Sequence, residues 1–241
     1  MTPLRTLPVA RDPAGLAFTD GDAVLPPQRR RLDGDYHQLK TEFDPALGAV
    51  WMYMRPEGVP CFNLDLLAEL LRFNQRLAAS QGRAYLDEAL VGVRYCVCAS
   101  RMPGVFNYGG DLALFAQLAE TRDRQRLLHY AALCVQNLYR QTRGFHPPII
   151  TLALIQGAAL GGGFEAALSY PIIIAERSST FGFPEILFNL FPGMGASSFL
   201  TRRIGLHRAE DFIASGATYR AVELAAMGIV DAVEGKTRNG I

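Results

Sequence analysis

The 241-residue sequence lacks the cysteine and histidine patterns of disulfide-rich or metal-binding proteins. Its four cysteines, Cys61, Cys96, Cys98 and Cys134, contain no C-x-x-C pair, and no histidine lies at metal-ligand spacing from them. We therefore expect buried free thiols, a reducing compartment and no bound metal.

A strong charge bias and long apolar runs are also missing. The net charge of +1 gives no indication of nucleic acid or an acidic membrane surface as a partner. No N-terminal stretch resembles a secretory signal, and no apolar run reaches the roughly 18 residues of a membrane span. These absences predict a soluble, cytoplasmic protein.

Several catalytic and nucleotide-binding motifs are absent as well. Neither a G-x-G-x-x-G fingerprint nor a G-x-x-x-x-G-K-[ST] phosphate loop follows a predicted strand. Ser197 and Ser198 lie in no G-x-S-x-G elbow, so a serine-hydrolase triad has little support.

The composition, 49% hydrophobic and 20% charged, predicts one large domain with a substantial core. Residues 1–34 show no sustained periodicity and predict a mobile or loosely docked arm, followed by the catalytic domain over residues 35–241. The predicted strands are 36–43, 49–54, 90–99, 149–155, 172–175 and 229–233. The predicted helices are 63–79, 111–120, 123–143, 162–169, 196–204, 208–215 and 221–227. This alternation of apolar strands with helices favours an α/β layered fold.

Two glycine-rich loops are the most informative feature of the chain. Residues 106–111 (FNYGGD) follow the predicted strand 90–99, and residues 160–163 (LGGG) follow the predicted strand 149–155. If these strands are neighbours, the loops emerge at one sheet edge, where one amide from each could bind a single carbonyl oxygen. The alternative is that both loops are simple strand-to-helix turns.

Two glutamates lie downstream in apolar surroundings. Glu165 falls in the first turn of the predicted helix 162–169, and Glu185 follows Pro184. Each alone could be an acid that stabilises a helix start. As a pair after two glycine loops they favour acid–base catalysis, with burial raising their pKa values.

These motifs resemble the crotonase (enoyl-CoA hydratase/isomerase) superfamily. The matching segments are residues 106–112, 155–165, 181–185 and 191–195. Within the superfamily, residues 106–115, 169–171 and 188–193 resemble the diffusible signal factor synthases of the RpfF type. In place of the alanine-glycine-alanine-aspartate common in hydratases, this chain has Tyr108-Gly109-Gly110-Asp111.

The resemblance implies a spiral of β-β-α units, assembled as trimers or pairs of trimers. It also implies C-terminal helices that are shortened after Val233 in this sequence. The implied catalytic residues are Glu165 and Glu185. The implied oxyanion hole, for a thioester carbonyl, is formed by amides near Tyr108, Gly109, Gly110, Leu160, Gly161 and Gly162.

The implied reaction dehydrates a 3-hydroxyacyl thioester to the cis-2-enoyl thioester and then hydrolyses it to a free fatty-acid signal. The substrate is carried on the phosphopantetheine of acyl carrier protein or CoA, and no cofactor is needed. One alternative is an enoyl-CoA hydratase or isomerase. Another is a weakly active binding partner of a sensor histidine kinase.

Overall fold

The computed structural model describes residues 31–86, 89–145 and 149–235. The helices are α1 (Leu64–Ser80), α2 (Leu112–Glu120), α3 (Arg124–Arg143), α4 (Gly162–Leu168), α5 (Ala196–Ile204), α6 (Leu206–Ser215) and α7 (Ala221–Ala226), with a 3₁₀ helix at Pro184–Phe188. The strands are β1 (Leu39–Asp44), β2 (Ala49–Met54), β3 (Arg83–Leu86), β4 (Ala89–Gly92), β5 (Tyr95–Ser100), β6 (Val105–Asn107), β7 (Ile150–Ile155), β8 (Ala158–Leu160), β9 (Ile172–Glu176), β10 (Thr180–Gly182), β11 (Thr218–Arg220) and β12 (Ala232–Glu234).

From β5 to β10, successive strands alternate between two sheets, so that the chain follows a spiral. The larger sheet has the order β1-β2-β5-β7-β9-β12, and the smaller has the order β11-β10-β8-β6. Three successive strand pairs, β5/β6, β7/β8 and β9/β10, each place their first strand in the larger sheet and their second in the smaller one. Neighbouring strands from successive turns of the spiral are parallel. The predicted β-β-α spiral and α/β fold are therefore confirmed.

The corners between the sheets stack on one another. Gly157, at the β7–β8 corner, donates its N–H to Ser179 Oγ, and that hydroxyl donates to Ile155 O. Gly157 has φ +81°, and a Cβ there would collide with the carbonyl of Gly104 at the β5–β6 corner. The corners thus set the spacing of the spiral because only a bare backbone fits between them.

The helices α1 and α3 pack against each other over the larger sheet. Asn63 Oδ1 accepts from Leu66 N and begins α1, while Asp123 Oδ1 accepts from Arg126 N and begins α3. Both helices lie close to their predicted ranges because side-chain caps and apolar spacing agree along them. In the described ranges, no helix combines the length and apolarity needed to cross a membrane.

Several predicted boundaries were wrong. The predicted strand 90–99 is two strands, β4 and β5, and β4 pairs with β3 in a hairpin. Phe106 and Asn107 of the predicted loop 106–111 belong to β6, and the last strand is Ala232–Glu234 instead of 229–233. Ile229 and Val230 are buried in the bend that precedes this strand. Their apolar side chains therefore indicate burial and not a strand.

The predicted N-terminal arm lies mostly outside the described residues. Its described part is packed: Leu32 is fully buried and donates its N–H to Tyr85 O. The four cysteines are free and buried, as predicted.

Candidate active site

The two glycine loops meet at the ends of β6 and β8, which are adjacent parallel strands of the smaller sheet. The strands named in the prediction, ending near Ala99 and Ile155, are also neighbours, but the loops leave the short strands that follow them. Gly109 has φ +91°, and a Cβ there would lie 2.6 Å from Gly162 N. Glycine is therefore required at this contact, since any side chain would cover that amide.

Hydrogen bonds within the protein distinguish the six candidate amides. Tyr108 N–H donates to Pro60 O at 2.8 Å, Gly109 N–H to Asn107 Oδ1 at 2.7 Å, and Gly161 N–H to Gly182 O at 2.9 Å. Leu160 is the last residue of β8 and is paired with Gly182 of β10. Within the described ranges, the N–H groups of Gly110 and Gly162 have no hydrogen-bond acceptor. Gly110 N lies only 3.5 Å from the position that a Cβ on Gly162 would take.

Glu165, in the first turn of α4, is 1% exposed, which confirms that its side chain avoids water. Its Oε1 accepts hydrogen bonds from Met194 N at 2.8 Å and Ala196 N at 2.9 Å. The pKa of Glu165 is raised to about 7, mainly by burial and to a smaller extent by the nearby charge of Glu185, while the backbone amides of Ala196, Met194 and Gly195 lower it.

Glu185 lies in the first turn of the 3₁₀ helix and points toward the triple glycine. Its Oε1 lies 2.7 Å from where a Cβ on Gly161 would be. Its Oε2 is buried and has no hydrogen-bond partner among the described residues. Burial raises the pKa of Glu185 as well. Two carboxyl groups with raised pKa values thus flank the paired amides.

Residues 189–195, here called the strap, connect the 3₁₀ helix to α5 and pass over the glycine loops. Asn189 adopts a left-handed conformation, and Gly195 has φ +122°. The side chain of Met194 extends from the strap, so that its Sδ lies 2.8 Å from where a Cβ on Gly162 would be. Met194 therefore covers the space beside both unpartnered amides.

A cavity of about 30 Å³ continues from Met194 into the core. It lies between α1, α3, α4 and the larger sheet, and its lining includes Phe62, Leu67, Phe106, Leu138 and Gln141. This volume holds about two water molecules.

Sequence reasoning missed two contributors to this geometry. Met194 and Asn107 lie in segments that carry the family resemblance, but neither was given a role of its own. Asn107 is fully buried, and its Oδ1 fixes the Gly109 amide. An Asn two residues before a glycine is a turn pattern that could have indicated this contact.

The sequence profile of the enoyl-CoA hydratase/isomerase family matches residues 55–238. This match covers more than half of the chain, and the chain belongs to that family. Its β-β-α spiral is the crotonase-like fold, which similar solved structures share.

Two relatives illustrate the similarity in sequence. The chain is 31% identical over 178 residues to the fatty acid oxidation complex subunit alpha of Pseudomonas aeruginosa, covering 73% of this chain and 24% of that protein. It is 32% identical over 180 residues to the enoyl-CoA isomerase/hydratase fer4 of Mycosarcoma maydis, covering 74% of this chain and 62% of that protein. The chain thus spans about a quarter of the bacterial protein and less than two thirds of the fungal one.

Two solved structures show the shared fold. DspI of Pseudomonas aeruginosa superposes with a TM-score of 0.69 at 23% identity, over 84% of this chain and 75% of that chain. The enoyl-CoA hydratase of Bacillus anthracis gives a TM-score of 0.69 at 23% identity, over 83% of this chain and 70% of that chain.

Proposed function

We propose that this protein dehydrates a 3-hydroxyacyl thioester and hydrolyses the product to a free cis-2-unsaturated fatty acid, a diffusible signal. The observation that carries the proposal is the pair of unpartnered amides, Gly110 and Gly162, flanked by the buried carboxyl groups of Glu165 and Glu185. These are the groups that thioester chemistry requires at one place.

The two amides bind the thioester carbonyl oxygen in this proposal. Hydrogen bonds from Gly110 N–H and Gly162 N–H draw electron density onto that oxygen and so acidify the C2–H bond of the acyl group. The same pair stabilises the oxyanion formed when water adds to the carbonyl. Met194 must move aside to admit the carbonyl, because its sulfur lies next to Gly162.

The glutamates move the protons. One carboxylate removes the C2 proton, while the other carboxyl group protonates the 3-hydroxyl, which leaves as water as the C2–C3 double bond forms. A carboxylate then deprotonates a water molecule that attacks the carbonyl, and the carrier thiol leaves. With a pKa of about 7, Glu165 can donate or accept a proton near neutral pH.

The acyl chain would extend from Met194 into the core cavity. At about 30 Å³ the cavity is too small for a medium-length chain, so binding requires the side chains around it to shift. The strap offers such a shift, since Gly193 has no neighbour within 4 Å of its Cβ position. In this proposal the acyl group is carried on acyl carrier protein or CoA. The proposal also includes assembly of the protein as a trimer or hexamer.

The second candidate is an enoyl-CoA hydratase or isomerase acting on CoA esters. The family match and the fungal relative favour it. Both candidates use the same amides and glutamates and differ in whether the thioester is cleaved.

Product analysis separates the two. Purified protein is incubated with 3-hydroxydodecanoyl-[acyl carrier protein], with 3-hydroxydodecanoyl-CoA and with dodecenoyl-CoA, and the products are identified by mass spectrometry. Free cis-2-dodecenoic acid supports the signal synthase, and hydrated or isomerised CoA ester without free acid supports the second candidate. Glu165→Gln and Glu185→Gln, which keep shape and remove charge, are the matched controls for contaminating activity. If wild type and both variants convert substrate equally, neither function holds.

A further inference from the structure

Tyr130 is a buried residue of α3 that has no part in the chemistry described above. It is 1% exposed, and its hydroxyl makes two hydrogen bonds to backbone groups. It donates to Phe62 O at 2.6 Å and accepts from Asp111 N at 3.0 Å. One phenol therefore joins α3, the segment before α1 and the first glycine loop.

These contacts belong to a short ladder between residues 60–62 and the glycine loop. Tyr108 N–H donates to Pro60 O at 2.8 Å, and Phe62 N–H donates to Gly109 O at 2.7 Å. The Tyr130 hydroxyl completes the ladder by bridging Phe62 O and Asp111 N. Residues 60–62 and the first glycine loop are thus held together by Tyr130 at one end of the ladder, where Phe62 and Asp111 lie.

The ladder sets the direction of one particular amide. The carbonyl of Gly109 and the N–H of Gly110 belong to the same planar trans peptide and point in opposite directions. Because Phe62 holds the Gly109 carbonyl, the Gly110 N–H is turned away from Phe62, and Gly110 N lies 3.5 Å from the position that a Cβ on Gly162 would take. Tyr130 in turn fixes the peptide groups that follow Gly110 and Phe62.

Packing prevents the loop from rotating around these bonds. The ring of Phe115 meets the Tyr130 ring edge-on, with the centroids 4.9 Å apart. A Cβ on Gly110 would lie 2.9 Å from the Phe115 ring and 3.7 Å from Tyr130 Oη. Burial raises the pKa of Tyr130, so the phenol keeps its donor proton throughout the neutral range.

We propose that Tyr130 is a positioning residue for the thioester reaction, which holds the Gly110 N–H in the direction that binds the substrate oxygen. This inference rests on the proposed function, because it assigns that amide to the oxyanion hole. Deleting one oxyanion donor costs about 100-fold to 1,000-fold in kcat. A donor that is present but points in the wrong direction should cost less than a deleted one. For Tyr130→Phe we therefore expect kcat to fall by about 10-fold to 100-fold.

The test compares Tyr130→Phe with wild type and with Tyr36→Phe. The ring of Tyr36 contacts Phe73 and Arg76 of α1. Its hydroxyl accepts from Arg76, so the control also removes one phenol hydrogen bond. For Tyr130→Phe we expect the loss in kcat with KM changed less than about 2-fold, because the interaction is realised in the transition state. Tyr36→Phe should retain the kcat of wild type. Equal kcat in wild type and folded Tyr130→Phe would overturn the inference.

A spectroscopic measurement separates this inference from the proposed function. The probe is 2-oxododecyl-CoA labelled with ¹³C at its ketone, which presents a carbonyl but has no thioester to cleave. Bound to wild type, its infrared carbonyl stretch should move to lower frequency than in solution, and Tyr130→Phe should reduce that shift. If wild type cleaves and dehydrates no thioester but the shift still depends on Tyr130, only the proposed function fails. An identical carbonyl shift in wild type and Tyr130→Phe contradicts the positioning role, whatever the activity.

Discussion

The raised pKa of Glu165 predicts that the protein becomes less stable as pH rises. The folded-state pKa is about 7 and the ordinary value is 4.5, so the folded protein holds this proton more tightly than the unfolded chain does. The resulting stabilisation is complete below about pH 4.5 and is lost as pH rises through 7. The two values differ by about 2.5, and each pKa unit corresponds to about 1.4 kcal/mol, so the whole loss is about 3.5 kcal/mol.

Glu165→Gln should remove this dependence. The glutamine oxygen can still accept from Met194 N–H and Ala196 N–H, while the ionisation is gone. Urea unfolding of both proteins from pH 5 to 8 should show the wild type losing about 2.5 kcal/mol relative to the variant, because part of the stabilisation is already lost at pH 5. Glu57→Gln, which removes an exposed carboxylate, should follow the wild type. Parallel curves for wild type and Glu165→Gln would refute the reasoning that burial dominates at this carboxyl group.

Three further predictions, one of them with a control substitution, test other parts of the structure. Gly163→Ala should cost at least about 3 kcal/mol in urea unfolding, because its Cβ would collide with the backbone carbonyl of Asn107. The control, Gly193→Ala, has open space around its Cβ and should stay within about 0.5 kcal/mol of wild type. Glu185→Gln should lower kcat at least about 100-fold while the melting temperature stays at or above that of wild type, since an unpartnered buried oxygen loses its charge. Asn63→Ala should cost about 1 kcal/mol in unfolding free energy, and an unchanged value would show that this cap does not stabilise α1.

The elements predicted well from the sequence are those with long periodic patterns and local end signals. The helix predicted at 123–143 is Arg124–Arg143, because Asp123 caps its start and Gly144 ends it. The strand predicted at 49–54 is Ala49–Met54. The strands β6, β8, β10 and β11 were not predicted, because three residues are too few to show a period of two. Those short strands build the smaller sheet, so its existence was invisible in the sequence pattern.

The site was predictable in its residue types but not in its contacts. The triple glycine and Glu165 are close together in the sequence, and Glu185 follows them. Their residue types alone suggest a site that binds an oxyanion and transfers protons. The partners that set the properties of Glu165 are Met194 and Ala196, about 30 residues further along the chain. Tyr130 is in the middle of a helix whose sequence gives no sign of a loop contact. Contacts of this kind depend on the spiral that brings α3, α4 and the strap together.

The triple glycine shows why residue type and contact must be considered together. A bare amide would explain the glycine at position 162, whose N–H has no partner within the described ranges. Gly161 must lack a side chain because Glu185 Oε1 lies 2.7 Å from where its Cβ would be. Gly163 must lack one because the carbonyl of Asn107 occupies the position that its Cβ would take. Each glycine therefore has a different neighbour: the Glu185 carboxyl group at Gly161, Met194 and the Gly110 amide at Gly162, and the first glycine loop at Gly163. A methyl group at any of the three would push one of these away, so the site depends on the absence of three side chains as much as on the two glutamates.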